Sequence, residues 1–154
     1  MNGENYLRSI DILLVEDNPG DARLAQEALK DSKIKNNLFW VKNGEEALKF
    51  LHNEGDYSDK PKPDLILLDL NMPKMDGRQV LAIIKSDDTL KSIPVVILTV
   101  SKAEEDIVKS YNLHANCYVT KPLDFEQFIS VVKSIEDFWF SIVMLPPDGK
   151  GKLF

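Results

Sequence analysis

The sequence predicts an α/β protein, a doubly wound parallel sheet built from five successive strand–helix units. Two observations support this prediction. Short apolar runs alternate five times with segments whose apolar residues recur with the 3.6-residue period of a helix. The central runs are rich in Leu, Ile and Val without polar alternation, as in strands that are buried on both faces. Strands alternating with helices of this length imply right-handed crossovers and helices on both faces of the sheet.

The first two units follow this pattern closely. The first strand runs from Ile10 to Val15 and ends at Glu16-Asp17. Asn18-Pro19-Gly20 then leads into a helix whose predicted inner face carries Leu24, Ala25, Ala28 and Leu29. The second strand, Leu38 to Val41, turns at Asn43-Gly44 into a helix carrying Ala47, Leu48 and Leu51.

The remaining three units come after a loop rich in turn-forming residues, Gly55 to Pro63, which is predicted to be a surface insertion. The third strand is Leu65 to Leu68, and Asp76-Gly77 opens its helix, with Val80, Leu81 and Ile84 on the inner face. The fourth strand, Val95 to Leu98, precedes a helix carrying Ala103, Ile107 and Tyr111. The fifth, Cys117 to Val119, precedes a helix from about Asp124 through Phe128, Val131, Val132 and Ile135.

The composition bounds the class of protein. A chain of 154 residues has room for one domain and a short extension, with a core that needs no disulfides. The single cysteine, Cys117, is expected to be a reduced, buried thiol, and no signal peptide or membrane-length apolar run is visible, so we expect a cytoplasmic protein. A net charge of -6 gives no basic surface for nucleic acid. Proteins and small ions are the expected partners.

Polar residues follow four of the five predicted strands. Glu16 and Asp17 follow the first, Asp69 the third, Thr99 the fourth and Lys121 the fifth. Each residue alone has a structural explanation, as a helix cap or an exposed loop residue. Because the carboxyl ends of parallel strands meet at one edge, where such sheets place their ligands, the group as a whole predicts a site.

The chemistry of this group favours a metal ion beside a phosphoryl group. Three neighbouring carboxylates repel one another, so either their pKa values rise or a cation joins them. All-oxygen ligands without a His or Cys cluster favour Mg²⁺ or Mn²⁺ over zinc. Lys121 offers a positive charge to an anion and Thr99 a hydroxyl donor, which leaves Asp69 as a nucleophile that would form an acyl phosphate.

Four motifs in the right order and spacing closely resemble the receiver domains of two-component response regulators. The motifs are Leu13-Leu14-Val15-Glu16-Asp17-Asn18, Asp64 to Gly77, Pro94 to Thr99 and Tyr118-Val119-Thr120-Lys121-Pro122. The resemblance covers residues 8–140 and implies a flavodoxin-like fold with strand order 2-1-3-4-5. It also implies phosphorylation by a histidine kinase, in a signalling protein rather than an enzyme. Residues 141–154 are predicted to be a C-terminal extension, with no output domain.

The resemblance assigns a role to each matching residue. Asp69 is the phosphoacceptor, Asp17 a direct Mg²⁺ ligand, Glu16 a ligand directly or through water, and the Asn71 backbone carbonyl a further ligand; Thr99 and Tyr118 form the switch pair, and Lys121, before a cis Pro122, binds the phosphoryl group. Two positions depart from the usual pattern. Glu16 replaces a frequent Asp, and His114 stands where Gly is usual, at the end of the fourth helix.

A closer resemblance is to the small stand-alone receivers that serve phytochrome-type histidine kinases. It rests on the 55–63 insertion, on residues 112–118 and on the aromatic run Phe138-Trp139-Phe140. One helix face cannot bury all three aromatic side chains, which predicts a homodimer through the end of the fifth helix, with folding back over the domain as the alternative. A downstream protein is expected at the face formed by the fourth helix, the fifth strand and the fifth helix.

Two other functions remain open from the sequence. A metal-dependent phosphohydrolase that forms an aspartyl phosphate needs a general acid, typically an aspartate two residues after the nucleophile, and position 71 is Asn. A degenerate receiver that docks partners without phosphorylation is the second alternative, although all the core site residues are present.

Overall fold

The computed structural model describes residues 9–31, 35–72, 75–99, 117–120 and 130. Its centre is a parallel five-stranded sheet with the order β2-β1-β3-β4-β5, which confirms the predicted flavodoxin-like topology. The strands are β1 (Ile10–Val15), β2 (Asn36–Val41), β3 (Leu65–Asp69), β4 (Val95–Thr99) and β5 (Cys117–Thr120), and the helices are α1 (Pro19–Lys30), α2 (Gly44–Leu51) and α3 (Gly77–Ser86). The predicted fourth helix, and the predicted fifth except for Ser130, lie outside the described residues.

The sheet is buried on both faces, as its apolar sequence requires. Alternate residues of β1 and β3 point into two separate clusters of buried side chains. One cluster includes Leu13, Val15, Ile66 and Leu68 with the inner faces of α2 and α3, and the other includes Ile12, Leu14, Leu65 and Leu67 with α1. In the part of the chain that the structure describes, none of the helices has the length and apolar character of a membrane span.

Each of the three described helices begins at a residue that caps it. The side chains of Asn18 and Asn43 accept hydrogen bonds from backbone N–H groups in the first turns of α1 and α2, at 3.0 and 2.9 Å. Asp76 and Gln79 form a capping box at the start of α3. A cap of this kind stabilises its helix by about 1 kcal/mol, so these helix starts are encoded locally.

The predicted inner face of α1 was wrong at one position. Leu24 is 40% exposed, and Ala22 is buried in its place with Ala25, Ala28 and Leu29. These four residues form one stripe on the helix, and Leu24 lies to the side of it. Three small side chains in the stripe let α1 approach the sheet closely, which the apolar pattern alone does not reveal.

The insertion before β3 is ordered and packs onto α2. Gly55–Tyr57 forms a 3-10 helix, and the Asn53 side chain donates hydrogen bonds to the carbonyl oxygens of Tyr57 (3.1 Å) and Lys60 (2.7 Å). The Tyr57 ring lies 5.4 Å from the Phe50 ring, and its hydroxyl donates to Glu46 at 2.6 Å. This hydrogen bond raises the pKa of Tyr57 to about 12. The loop is thus fixed to the domain by side-chain contacts rather than by secondary structure.

Candidate functional site

The predicted site residues of β1, β3 and β4 lie at one edge of the sheet. Glu16 and Asp17 follow β1, Asp69 is the last residue of β3, and Thr99 is the last residue of β4. Because β3 is paired with both β1 and β4, these three strand ends are neighbours. Glu16, Asp69 and Thr99 are buried, and Asp17 is exposed. The structure therefore brings together four of the predicted residues.

Glu16, Asp17 and Asp69 form one acidic cluster. Each offers a carboxylate oxygen, and the three oxygens lie within 4.8 Å of one another. Two of the carboxylates are oriented by backbone groups, since Glu16 Oε2 accepts from the Asn18 N–H at 3.1 Å and Asp69 Oδ1 from the Asn71 N–H at 3.0 Å. Negative charges at this separation, two of them buried, are stabilised by a cation. Oxygen donors alone fit a hard divalent ion such as Mg²⁺ or Mn²⁺.

The backbone behind Asp69 is packed against the first residue of α3. The Gly77 N–H donates to the Leu70 carbonyl at 3.0 Å. A Cβ atom at Gly77 would overlap the carbonyl oxygen of Asp69 and lie 2.7 Å from Leu70 Cα. Only glycine fits there without displacing the strand end that carries Asp69. The sequence analysis identified Gly77 only as a helix start, because the contact depends on the path of the β3–α3 loop.

Trp40 is a second residue whose place at the site the sequence analysis missed. It lies on β2, and its indole Nε1–H donates a 2.7 Å hydrogen bond to the backbone carbonyl of Glu16. A tryptophan one residue before the end of the neighbouring strand is the only sequence signal for this contact.

The remaining predicted residues are described in part or not at all. Tyr118 lies in β5, where its backbone pairs with Ile97, and Thr120 pairs with Thr99, so β5 ends beside β4. Nothing is described of the Tyr118 side chain, and Lys121 and His114 lie outside the described residues. The role of the Asn71 carbonyl oxygen stays a prediction.

Comparison with known proteins identifies the family. The family model of the response regulator receiver domain matches residues 12–133. The chain belongs to this family. Response regulator Rcp1 of Synechocystis sp. is 51% identical to this receiver over 135 residues, which are 88% of this chain and 92% of Rcp1.

Two solved structures show the same fold. The phosphorylated cyanobacterial phytochrome response regulator RcpA is 53% identical, with a TM-score of 0.75 over 90% of this chain and 99% of RcpA. The Mn²⁺-bound form of Rcp1 is 50% identical, with a TM-score of 0.73 over 89% of this chain and 99% of that structure. The resemblance to receivers, and to those of phytochrome systems, is confirmed, and these matches favour the receiver over the phosphohydrolase.

Proposed function

We propose that this receiver accepts a phosphoryl group on Asp69 from a histidine kinase and signals by contact with other proteins. The observation that carries the proposal is the cluster of Glu16, Asp17 and Asp69, with Asp69 buried at the end of β3. An Asp69 carboxylate oxygen attacks the phosphorus of a phosphohistidine. The P–O bond forms as the P–N bond breaks, the imidazole leaves, and an acyl phosphate results. Attack by water on this acyl phosphate reverses the modification, so the protein turns over only its own phosphoryl group.

Residues of the cluster hold the divalent ion in this proposal. Asp17 and Asp69 are direct ligands, Glu16 binds directly or through water, and the Asn71 carbonyl adds a further oxygen. A bound Mg²⁺ or Mn²⁺ offsets the negative charge that develops on the phosphoryl oxygens. The Mn²⁺-bound form of the relative Rcp1 supports a divalent ion, and the all-oxygen donor set supports Mg²⁺ as the physiological one.

The chain's own groups prepare Asp69 for the transfer. The Asn71 N–H fixes one oxygen of its carboxylate, and Gly77 supports the carbonyl side of the same residue. The hydroxyl of Thr99, at the neighbouring strand end, then donates to the phosphoryl group, and Lys121 supplies a second positive charge. Movement of Thr99 makes room for the ring of Tyr118, which changes the surface between the fourth helix, β5 and the fifth helix. That surface is the proposed contact for the downstream protein.

The proposed partners follow from the relatives and from the sequence. RcpA is a phytochrome response regulator, which supports a phytochrome-type histidine kinase as the phosphodonor in the cytoplasm. Residues 8–140 form the receiver and residues 141–154 the extension, with no output domain and with self-association through the end of the fifth helix. Light scattering of the full chain and of a chain ending at Ile135 tests the dimer. A monomeric full chain, phosphorylated or not, contradicts it.

Intact mass after incubation with Mg²⁺ and a small phosphodonor separates the three candidate functions. A lasting gain of one phosphoryl group supports the receiver, release of phosphate at high turnover supports the phosphohydrolase, and no change supports the binding module. Asp69→Asn keeps the side-chain shape but removes the nucleophile, so it should gain no mass. Asp59→Asn, an exposed carboxylate of the insertion, is the matched control and should react like the wild type.

The metal assignment is tested by calorimetry. Asp17→Ala should lose most of the Mg²⁺ affinity, whereas Glu16→Ala should lose less. The opposite order would reverse the roles of the two residues.

A further inference from the structure

The backbone of Glu16 is held at both of its polar groups by the end of β2. The paired segments of β1 and β2 end at Val15 and Val41, and the Glu16 N–H donates to the Val41 carbonyl at 3.1 Å. Beyond that hydrogen bond, the indole N–H of Trp40 donates to the Glu16 carbonyl at 2.7 Å. This distance is at the short end of the range for N–H···O hydrogen bonds. A side chain thus extends the β1–β2 pairing to the peptide that joins Glu16 to Asp17.

That peptide carries both acidic residues contributed by β1. Its plane determines the direction in which the chain leaves Glu16, and therefore where the Asp17 carboxylate lies relative to Asp69. The three carboxylates lie within 4.8 Å of one another, so their repulsion favours rotations of the peptide that separate them. The hydrogen bond from Trp40 opposes such a rotation, because turning the carbonyl away would leave the indole N–H without its acceptor.

Trp40 is itself held in place on two sides. Its ring is half-buried and packs against the apolar cluster between the sheet and α1. The Lys42 ammonium lies 5.7 Å from the ring centroid, within the range of a cation–π interaction. A donor with few accessible rotamers costs little entropy when it holds an acceptor, so the contact is suited to positioning.

We propose that Trp40 is a positioning residue for the divalent-ion site: its indole N–H fixes the Glu16–Asp17 peptide and thereby raises the affinity of the acidic cluster for the ion. The inference rests on the proposed function, since it takes the cluster of Glu16, Asp17 and Asp69 as the ion site. It assigns no ligand role to Trp40, which acts through the backbone of Glu16.

Calorimetric titration with Mn²⁺ tests the proposal directly. Trp40→Phe retains an aromatic ring and its packing but removes the donor, so the affinity should fall about fivefold, as expected for the loss of one ordinary hydrogen bond. Phe39→Leu is the matched control, because Phe39 is the preceding residue of β2 and packs on the other face of the sheet. It should lower the stability of the fold and leave the Mn²⁺ affinity within about twofold of the wild type, a change below that of one hydrogen bond.

A second measurement keeps Trp40 in place and does not depend on how Trp40→Phe folds. In Trp139→Phe, Trp40 is the single tryptophan, and its indole N–H gives one resonance in a proton–nitrogen spectrum. This resonance should shift on titration with Mg²⁺ and saturate with the calorimetric dissociation constant.

The outcomes separate this proposal from the proposed function. Wild-type binding with an unchanged affinity in Trp40→Phe, or with a stationary Trp40 resonance, overturns the positioning role alone. A wild type that neither binds the ion nor gains a phosphoryl group overturns both.

Discussion

Replacing Gly77 with alanine tests how closely the backbone behind Asp69 is packed. The added Cβ would overlap the Asp69 carbonyl oxygen and lie 2.7 Å from Leu70 Cα. Ordinary contact begins at 3.4 Å, so the end of β3 or the start of α3 must shift by roughly 0.7 Å. Both neighbouring atoms belong to the backbone, and no side-chain rotation relieves the overlap.

The shift should affect phosphorylation more than stability. Overpacking of this kind costs about 1–3 kcal/mol, of which the better helix propensity of alanine returns up to about 1 kcal/mol. A displacement approaching 1 Å at a reacting group lowers a rate by up to about 100-fold. We therefore expect Gly77→Ala to lose about 1–2 kcal/mol of unfolding free energy and its rate of phosphorylation on Asp69 to fall about 10- to 100-fold.

Two measurements on the same variants decide the outcome. Urea unfolding gives the stability, and intact mass during incubation with a small phosphodonor and Mg²⁺ gives the rate. Gly20→Ala is the control, because its Cβ would meet only the Asn18 side-chain oxygen, at 3.1 Å, which can move aside. A folded Gly77→Ala that gains phosphate at the wild-type rate would refute the idea that this glycine supports Asp69.

Three further predictions concern stability. The pKa of Tyr57, raised to about 12 by its hydrogen bond to Glu46, favours the neutral phenol in the folded state; wild type should therefore be more stable than Tyr57→Phe below about pH 10, and the difference, measured by urea unfolding, should disappear as the pH rises through 12. Hydrogen bonds from Thr89 lower the pKa of Asp87 to about 2, so their stabilisation is present above pH 4 and lost as the pH falls towards 2. Thr89→Val should reduce the acid-induced loss of stability over that range. Phe50→Ala, at a fully buried ring, should cost about 3–5 kcal/mol in urea unfolding.

The sequence predicted the architecture well because the relevant signals are local. Period-2 and period-3.6 patterns identified all the described strands and helices, and Asn18, Asn43 and Asp76 marked the helix starts. The acidic cluster was predicted from topology, since any parallel sheet brings its carboxyl ends to one edge. Here the sheet placed Glu16 and Asp69 in one cluster.

The features that the sequence did not reveal depend on contacts between distant segments. Gly77 matters because of the path of the loop before it, and Trp40 because of the register between β1 and β2. Leu24 is exposed because a stripe of alanines approaches the sheet instead. The insertion is ordered because Tyr57 reaches the neighbouring helix. None of these properties follows from periodicity or local propensity.

The pairing of β1 with β3 has a consequence for how the acidic cluster responds to ions. Its carboxylates come from adjacent strands, so their separation is set by the spacing of a hydrogen-bonded peptide ladder, about 4.8 Å. They cannot move apart without breaking that ladder, and the work of bringing like charges together is therefore done when the chain folds. An ion that binds only the folded state returns part of that work, which couples the stability of the whole receiver to the concentration of free divalent cations.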